Sequence, residues 1–297
     1  MAAPPPAAAW SLDGTGRGNA VSMALHGDCN YTMAHDGHRQ ALIVGEGGCY
    51  ASAASTSSVQ LGGSTSSLSA CTRFRMDPRG GGGALLSKLA RARGASRGFA
   101  IEVADSGIGL GVSLADSIGV SAHEEVGRTM LADGAWHHAC VVLQRVPSPQ
   151  LLVYVDGLLS ENLLLGDSRL SRLGSIDSDA PLLLGRRTAD EPAGGFRGAM
   201  CEVALWSRAL LPEHVATLHR HGLPLPRARR GRQRAGGRWR AAAQVASGLR
   251  LSARSDGHRA TLSRYGPAVA LLLAVLLLMG LILGRRWRRR LTCSCWR

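Results

Sequence analysis

Few residues in this chain carry chemistry, and their spacing excludes more than it supports. The seven cysteines are Cys29, Cys49, Cys71, Cys140, Cys201, Cys293 and Cys295. None forms a Cys-x-x-Cys pair, and no His/Cys group has zinc spacing. Five of them fall before residue 224, an odd number, so at least one thiol there stays free. Glu124 and Glu125 are adjacent, as are His137 and His138. Neighbours on a strand point to opposite faces, so neither pair can act together from one strand. No Ser/His/Asp or Cys/His grouping is recognisable. Asn30-Tyr31-Thr32 is an N-glycosylation sequon, usable only by a chain that enters a lumen.

Charge separates the chain into two parts. Of its 297 residues, 35 are Lys or Arg and 21 are Asp or Glu, for a net charge of +14. Residues 1–223 hold 18 basic and 20 acidic side chains, a net of −2. Residues 224–297 hold 17 basic side chains and only Asp256, a net of +16. The first part is near neutral and the basic character belongs to the tail, which argues against a nucleic-acid-binding domain.

The tail reads as a linker and a membrane anchor. Residues 224–266 are rich in Arg, Gly and Pro, with 11 arginines and no apolar periodicity. Ala268–Leu283 (AVALLLAVLLLMGLIL) holds no charge, so 267–284 is predicted to span a membrane as one helix. Arg285, Arg286, Arg288, Arg289 and Arg290 follow at once. That bias puts the C-terminus in the cytosol and the domain outside the cell or in a lumen. MAAPPPAAAW has neither the basic nor the apolar region of a signal peptide. The alternatives are a start upstream of Met1 or a tail-anchored scaffold with a cytosolic domain. Arg227-Ala228-Arg229-Arg230 resembles a furin-type processing site ending at Arg230. The arginine-rich flanks are suited to anionic lipid headgroups. Cys293 and Cys295 in the tail 285–297 are palmitoylation candidates.

Elements that would position a site lie in 10–223, after a Pro/Ala-rich 1–9 read as disordered. Hydrophobic residues make up 45% and aromatics 4%, with 38 glycines, a mixture suited to short strands and turns. Strand signals recur at Ser69–Met76, Phe99–Val103, Ile108–Leu114, His138–Leu143, Leu151–Val155, Leu182–Leu184 and Ala199–Trp206. Asp156-Gly157 is a favoured hairpin turn. One helix is predicted, Leu211–His219, opened by Pro212 and Glu213 and stopped by Gly222. The fold class is all-β: a two-sheet antiparallel sandwich with one short late helix, plus the transmembrane helix. Trp136 is expected in the core, and Phe196 and Trp206 between the sheets.

Four ordered pieces resemble the laminin-G-like, pentraxin-like domain of the concanavalin A-like jelly rolls. They are Gly134-Ala135-Trp136-His137-His138, Tyr154-Val155-Asp156-Gly157, Leu182-Leu183-Leu184-Gly185, and the stretch from Gly195 to Leu210, with Pro212-Glu213-His214-Val215 as its helix. Trp10-Ser11-Leu12-Asp13 resembles the opening strand more loosely. The resemblance covers about 200 residues.

The resemblance carries expectations of its own. A pentraxin-like bridge would link Cys71 to Cys140, and Cys29 and Cys49 could pair across the first hairpin, which would require an oxidising compartment. The family commonly has Asp where this chain has Cys201, so no carboxylate role transfers there. Calcium at the rim, the one implied cofactor, would draw on Asp133, Asp167, Asp177 and Asp179. The family's glycosidases carry Glu-x-Asp-x-x-Glu on a strand, and Glu102-Val103-Ala104-Asp105 lacks the third acid and the spacing. The expected function is therefore a membrane-anchored, non-catalytic module binding carbohydrate or protein, and the alternative is a glycoside hydrolase of the same fold.

Overall fold

The computed structural model describes residues 2–14, 19, 22–92, 95–164, 172–190 and 195–223. The expected linker, span and tail at 224–266, 267–284 and 285–297 lie outside these residues, as do Asp167, Arg230, Cys293 and Cys295. Among the described residues no helix is long and apolar enough to cross a membrane.

Short strands open the domain: β1 (Ala8–Ser11), β2 (Met23–His26), β3 (Asn30–Met33), β4 (Gln40–Val44) and β5 (Tyr50–Ala53). Longer ones follow: β6 (Leu68–Met76), β7 (Gly83–Ala92), β8 (Ala95–Val103), β9 (Ile108–Ala115), β10 (Ser121–Met130) and β11 (Trp136–Gln144). The series ends with β12 (Gln150–Val155), β13 (Leu158–Leu164), β14 (Leu182–Leu184), β15 (Gly198–Trp206) and the helix α1 (Pro212–His221).

These strands form two antiparallel sheets. The first runs β13-β12-β11-β6-β15-β4-β3, with β1 paired along Glu202–Leu205 of β15. The second runs β10-β9-β8-β7-β14-β5-β2. Period-two alternation sends one side of each strand inward. Phe74, Met76, Val141, Leu143, Val203 and Leu205 meet Leu86, Phe99, Ile101, Val103, Leu110 and Val112 across the gap. Phe196 fills this gap edge-on to Phe74, with ring centroids 5.9 Å apart.

The two tryptophans sit elsewhere than expected. Trp206 lies on the outer face of the first sheet, in a second cluster under α1 with Cys71, Cys140, Tyr154, Val215 and Leu218. The helix supplies a second apolar layer, so Trp206 is buried without facing the inter-sheet core. Trp136 is only partly buried, on the same outer face beside Ala199 and Cys201, with the Arg75 guanidinium 5.4 Å from its ring centroid. Its strand pairs it with Arg75, so it shares the outward orientation of that arginine.

Helix α1 has the expected signals: Pro212 in its first turn, Glu213 beside it, and Gly222 after it at φ 81°. Val155 pairs with Leu158, which leaves Asp156 and Gly157 as a two-residue turn with φ of 51° and 79°. Two positive φ values are what a hairpin of this length requires. The ordered domain begins earlier than the sequence places it. Pro4 accepts a hydrogen bond from the Trp206 indole at 2.9 Å, and β1 is buried throughout. Proline and alanine read as disordered by composition, but here they have a sheet edge and a tryptophan to pack on.

Candidate functional site

The outer face of the second sheet carries a built polar cluster. Register sets it: Ser87 pairs with Ala100, Ala100 with Ser113, and Ser113 with His123. One step along, Glu102 and Glu125 both sit opposite Gly111. Partners across a ladder share a face, so these side chains gather on the side away from Phe99, Ile101 and Val112. Gly111 makes the gathering possible. A Cβ there would lie 2.8 Å from Glu102 Cγ and 3.0 Å from His123 Cε1.

Arg187, just beyond β14, folds over this row. Its Nη1 contacts both oxygens of Glu102, Oε1 at 2.6 Å, and its Nη2 donates to Ser113 Oγ at 2.9 Å. Ser87 Oγ donates to the Arg187 carbonyl at 2.6 Å and fixes the backbone there. His123 Nδ1 lies 2.9 Å from Ser113 Oγ and 3.3 Å from Glu102 Oε1, while its Nε2 lies 3.8 Å from Glu125. A groove of about 460 Å³ opens beside them, lined in part by Ser96, Ser113, Ser121, His123 and Arg187.

Serine, histidine and glutamate here do not make a catalytic relay. A relay needs the acid and the nucleophile on different ring nitrogens. Both Ser113 and Glu102 meet Nδ1, and Glu125, the acid on the Nε2 side, stands at 3.8 Å, beyond hydrogen-bond reach. What the groove offers is a set of serine hydroxyls, the His123 ring and the Arg187 guanidinium, with the Glu102 carboxylate held beside it by that arginine.

A family model for the concanavalin A-like lectin/glucanases superfamily matches residues 46–216, more than half of the chain. The chain belongs to the concanavalin A-like lectin/glucanases superfamily. It is 35% identical to pentraxin-4 of Homo sapiens over 107 residues, which is 34% of this chain and 21% of that protein. Among solved structures it is similar to the binding domain of Paraclostridial Mosquitocidal Protein 1, with TM-score 0.54, 13% identity, and 68% and 47% of the two chains covered. It is also similar to the botulinum neurotoxin serotype D ligand binding domain in complex with N-acetylneuraminic acid, with TM-score 0.53, 7% identity, and 72% and 50% covered. The chain thus spans about a fifth of the curated relative and about half of these structures. At such identities the structural likeness is one of fold.

Of the aspartates expected at a calcium rim, Asp133 and Asp179 have hydrogen-bond partners, whereas Asp177 Oδ1 is buried with none. Asp133 accepts from the Ala135 backbone N–H at 2.8 Å and contacts His137 Nε2 at 3.1 Å. The Ala135 N–H, ahead of the His137 contact, holds its carboxyl below the usual range. Asp177 and Asp179 flank a buried lysine. Lys88 Nζ donates to the carbonyls of Ser178 and Ala180 and, at 3.0 Å, to Ser55 Oγ. Burial pushes the Lys88 pKa down, and the charges of Asp177 and Asp179 oppose that. An ammonium therefore occupies the pocket formed by these two carbonyls and the Ser55 hydroxyl. Among the described residues no three His, Cys, Asp or Glu side chains gather to hold a metal. Asp133 contacts His137, whereas Asp177 and Asp179 lie beside Lys88.

The adjacent histidines diverge, as strand geometry demands. His137 is clamped between Asp156 Oδ2 at 2.8 Å and Asp133. The Asp156 hydrogen bond raises its pKa against the effect of burial. His138 points under α1, fully buried, with neither ring nitrogen bonded. Burial, then the charge of Arg73, pushes its pKa down to about 3.

Cysteine placement follows the ladders. Cys71 sits directly opposite Cys140 and is bonded to it, and Cys29 is bonded to Cys49. Cys201 is the free thiol among the described residues, buried and 3.6 Å from His35 Nδ1. Burial, ahead of the neighbouring Glu202, pushes its pKa up, which makes it a poor nucleophile. Asn30 is exposed at the start of β3.

Sequence reading missed Arg187, Ser113 and His123 altogether. Arg187 lies 85 positions from the glutamate it pairs with. The only local signal was the alternation of small residues in β9.

Proposed function

We propose that this chain is a non-catalytic recognition module that binds carbohydrate on the outer face of its seven-stranded sheet. The observation that carries this is Arg187 lying across Glu102 and Ser113 at the mouth of a serine-lined groove. A guanidinium and a carboxylate side by side offer a donor and an acceptor to a pair of sugar hydroxyls, and the serines add both. The likeness to a toxin domain solved with N-acetylneuraminic acid is consistent with a sugar ligand. The hydrolase reading needs one acid free to protonate a leaving group and a second carboxylate across the bond. Both oxygens of Glu102 are engaged by Arg187, and His123 stands between Glu102 and Glu125.

The module is held at a membrane by 267–284, with the domain outside the cell or in a lumen and the C-terminus in the cytosol. Support comes from the uncharged run, the arginines after it, and two disulfides suited to an oxidising compartment. The full chain in detergent micelles, tested on immobilised oligosaccharides, is expected to bind a subset of them. Arg187→Met is expected to weaken that binding at least tenfold. Release of reducing sugar by the wild type, or unchanged binding by the variant, would overturn the reading. Protease protection in microsomes tests the topology.

A further inference from the structure

A second pocket, on the outer face of the other sheet, lies next to the glycosylation sequon. Ladder register lines up Asn30, Ile43, Ala199, Arg75 and Trp136 in one cross-strand row. Paired residues share a face. Ile43, Ala199 and Arg75 face away from the core, because Leu42, Met200 and Phe74 beside them are in it. Asn30 therefore projects on that same outer side, at the open edge of β3. The sequon hydroxyl residue, Thr32, is two positions on and shares the face. Thr32, Ile43, Arg75, Arg197 and Ala199 all line one pocket of about 460 Å³.

We infer that this pocket is the seat of the protein's own N-linked glycan, carried on Asn30. This rests on the lumenal placement proposed above. In the transfer, Asn30 Nδ2 bonds to C1 of an oligosaccharide held on a lipid pyrophosphate. The C1–O bond to the pyrophosphate breaks, and the amide proton leaves with that group. The first sugar then has somewhere to go. Asn30 to Arg75 spans three inter-strand steps, about 14 Å, enough for two linked rings. Ile43 and Ala199 give an apolar floor for an acetamido methyl. Arg75 and Arg197 supply N–H donors, and neither guanidinium donates to another described residue. The pocket volume lies within the range of small-ligand sites, about 300–1,000 Å³.

The test uses the full chain made in cells with a secretory pathway and purified in detergent. Mass spectrometry is expected to find Asn30 occupied. Nuclear Overhauser contacts are expected between the acetamido methyl of the first sugar and the Ile43 methyls. Trimming to one sugar is expected to leave the thermal midpoint nearly unchanged. Asn30→Gln is expected to lower it by about 2–4 °C. In Ile43→Ser the glycan is expected to lose most of that stabilising effect while occupancy stays the same. An occupied Asn30 with no such contacts and no midpoint change overturns the inference, as does a stable dimer of the glycosylated chain that buries Ile43. A control sequon, made by Arg128→Asn with Met130→Thr on the exposed end of β10, separates the remaining failures. If the control is modified and Asn30 is bare, the inference falls and the lumenal reading stands. If neither is modified, both fall.

Discussion

Arg73 on β6 reaches Glu202 on β15, Nε to Oε2 at 3.2 Å, and both side chains are buried. The same glutamate accepts from the Leu223 backbone N–H at 3.0 Å and pairs with Arg39 at 2.5 Å. Arg73 in turn donates to the carbonyls of Leu218 and His219 at the end of α1. This pair therefore seats the last turn of the helix on the sheet. Glu202→Ala is expected to destabilise the domain by about 3–5 kcal/mol, because it leaves a guanidinium buried without its partner. Removing both charges, as Arg73→Met with Glu202→Leu, is expected to cost less than Glu202→Ala. Urea unfolding of the two variants checks the order.

His137 and His138 predict opposite pH dependences. The folded-state pKa of His137 is raised, so its contribution is complete below about pH 6.5 and is lost as pH rises through the folded value. The folded value of His138 is depressed to about 3, so the folded state resists taking up its proton. Stability is then lost as pH falls from about 6.5 toward 3, by about 2 kcal/mol at pH 5. Thermal midpoints measured from pH 4 to 8 are expected to fall on the acid side. His138→Gln is expected to flatten that acid slope and His137→Gln the slope above neutrality. An unchanged acid slope in His138→Gln would disprove the assignment.

Gly111→Ala tests the groove without touching its polar groups. The added methyl meets Glu102 Cγ and His123 Cε1, so those two side chains must separate. Oligosaccharide binding is expected to weaken severalfold, with stability changing by about 1 kcal/mol or less. Equal binding by wild type and variant would mean that the contact between Glu102 and His123 does not shape the site.

Lys88 already supplies a positive charge beside Asp177 and Asp179, so the domain is expected to be stable without added calcium. Treatment with EDTA is expected to leave the thermal midpoint unchanged. Lys88→Met is expected to cost about 2–4 kcal/mol, since the carbonyls of Ser178 and Ala180 lose their donor while staying buried. A midpoint that drops on chelation and returns with calcium would contradict this.

The legible parts of the fold were those whose information is local. Asp156-Gly157 carries its own turn geometry, and Pro212, Glu213 and Gly222 mark the ends of α1 to within two residues. Strands buried on one or both faces, such as β9 and β15, advertise themselves by apolar content. β7 did not, because Gly83–Ala92 reads GALLSKLARA, with a charge in mid-strand. Lys88 is tolerated there only because residues about 90 positions away supply its hydrogen-bond acceptors. β10 was equally hidden. It is an edge strand, mostly exposed, and its His123, Glu124, Glu125 and Arg128 suit an edge that must not pair further.

By itself the sequence determined the all-β class, the two-residue hairpin turn, the late helix, the near-neutral charge of the domain, and a likeness that named the superfamily. Each is written in short-range pattern or in motif order. The tertiary structure alone decided which outward residues meet. A ladder puts Ser113 beside His123 and Asn30 in line with Arg75, and the curl of the chain after β14 lays Arg187 on Glu102. Register between distant strands depends on the packing of both inner faces at once. No local stretch encodes it, so the polar residues of the groove could be counted in advance but only the folded sheets brought them together, whereas the pairings Cys71–Cys140 and Cys29–Cys49 were already expected from the resemblance.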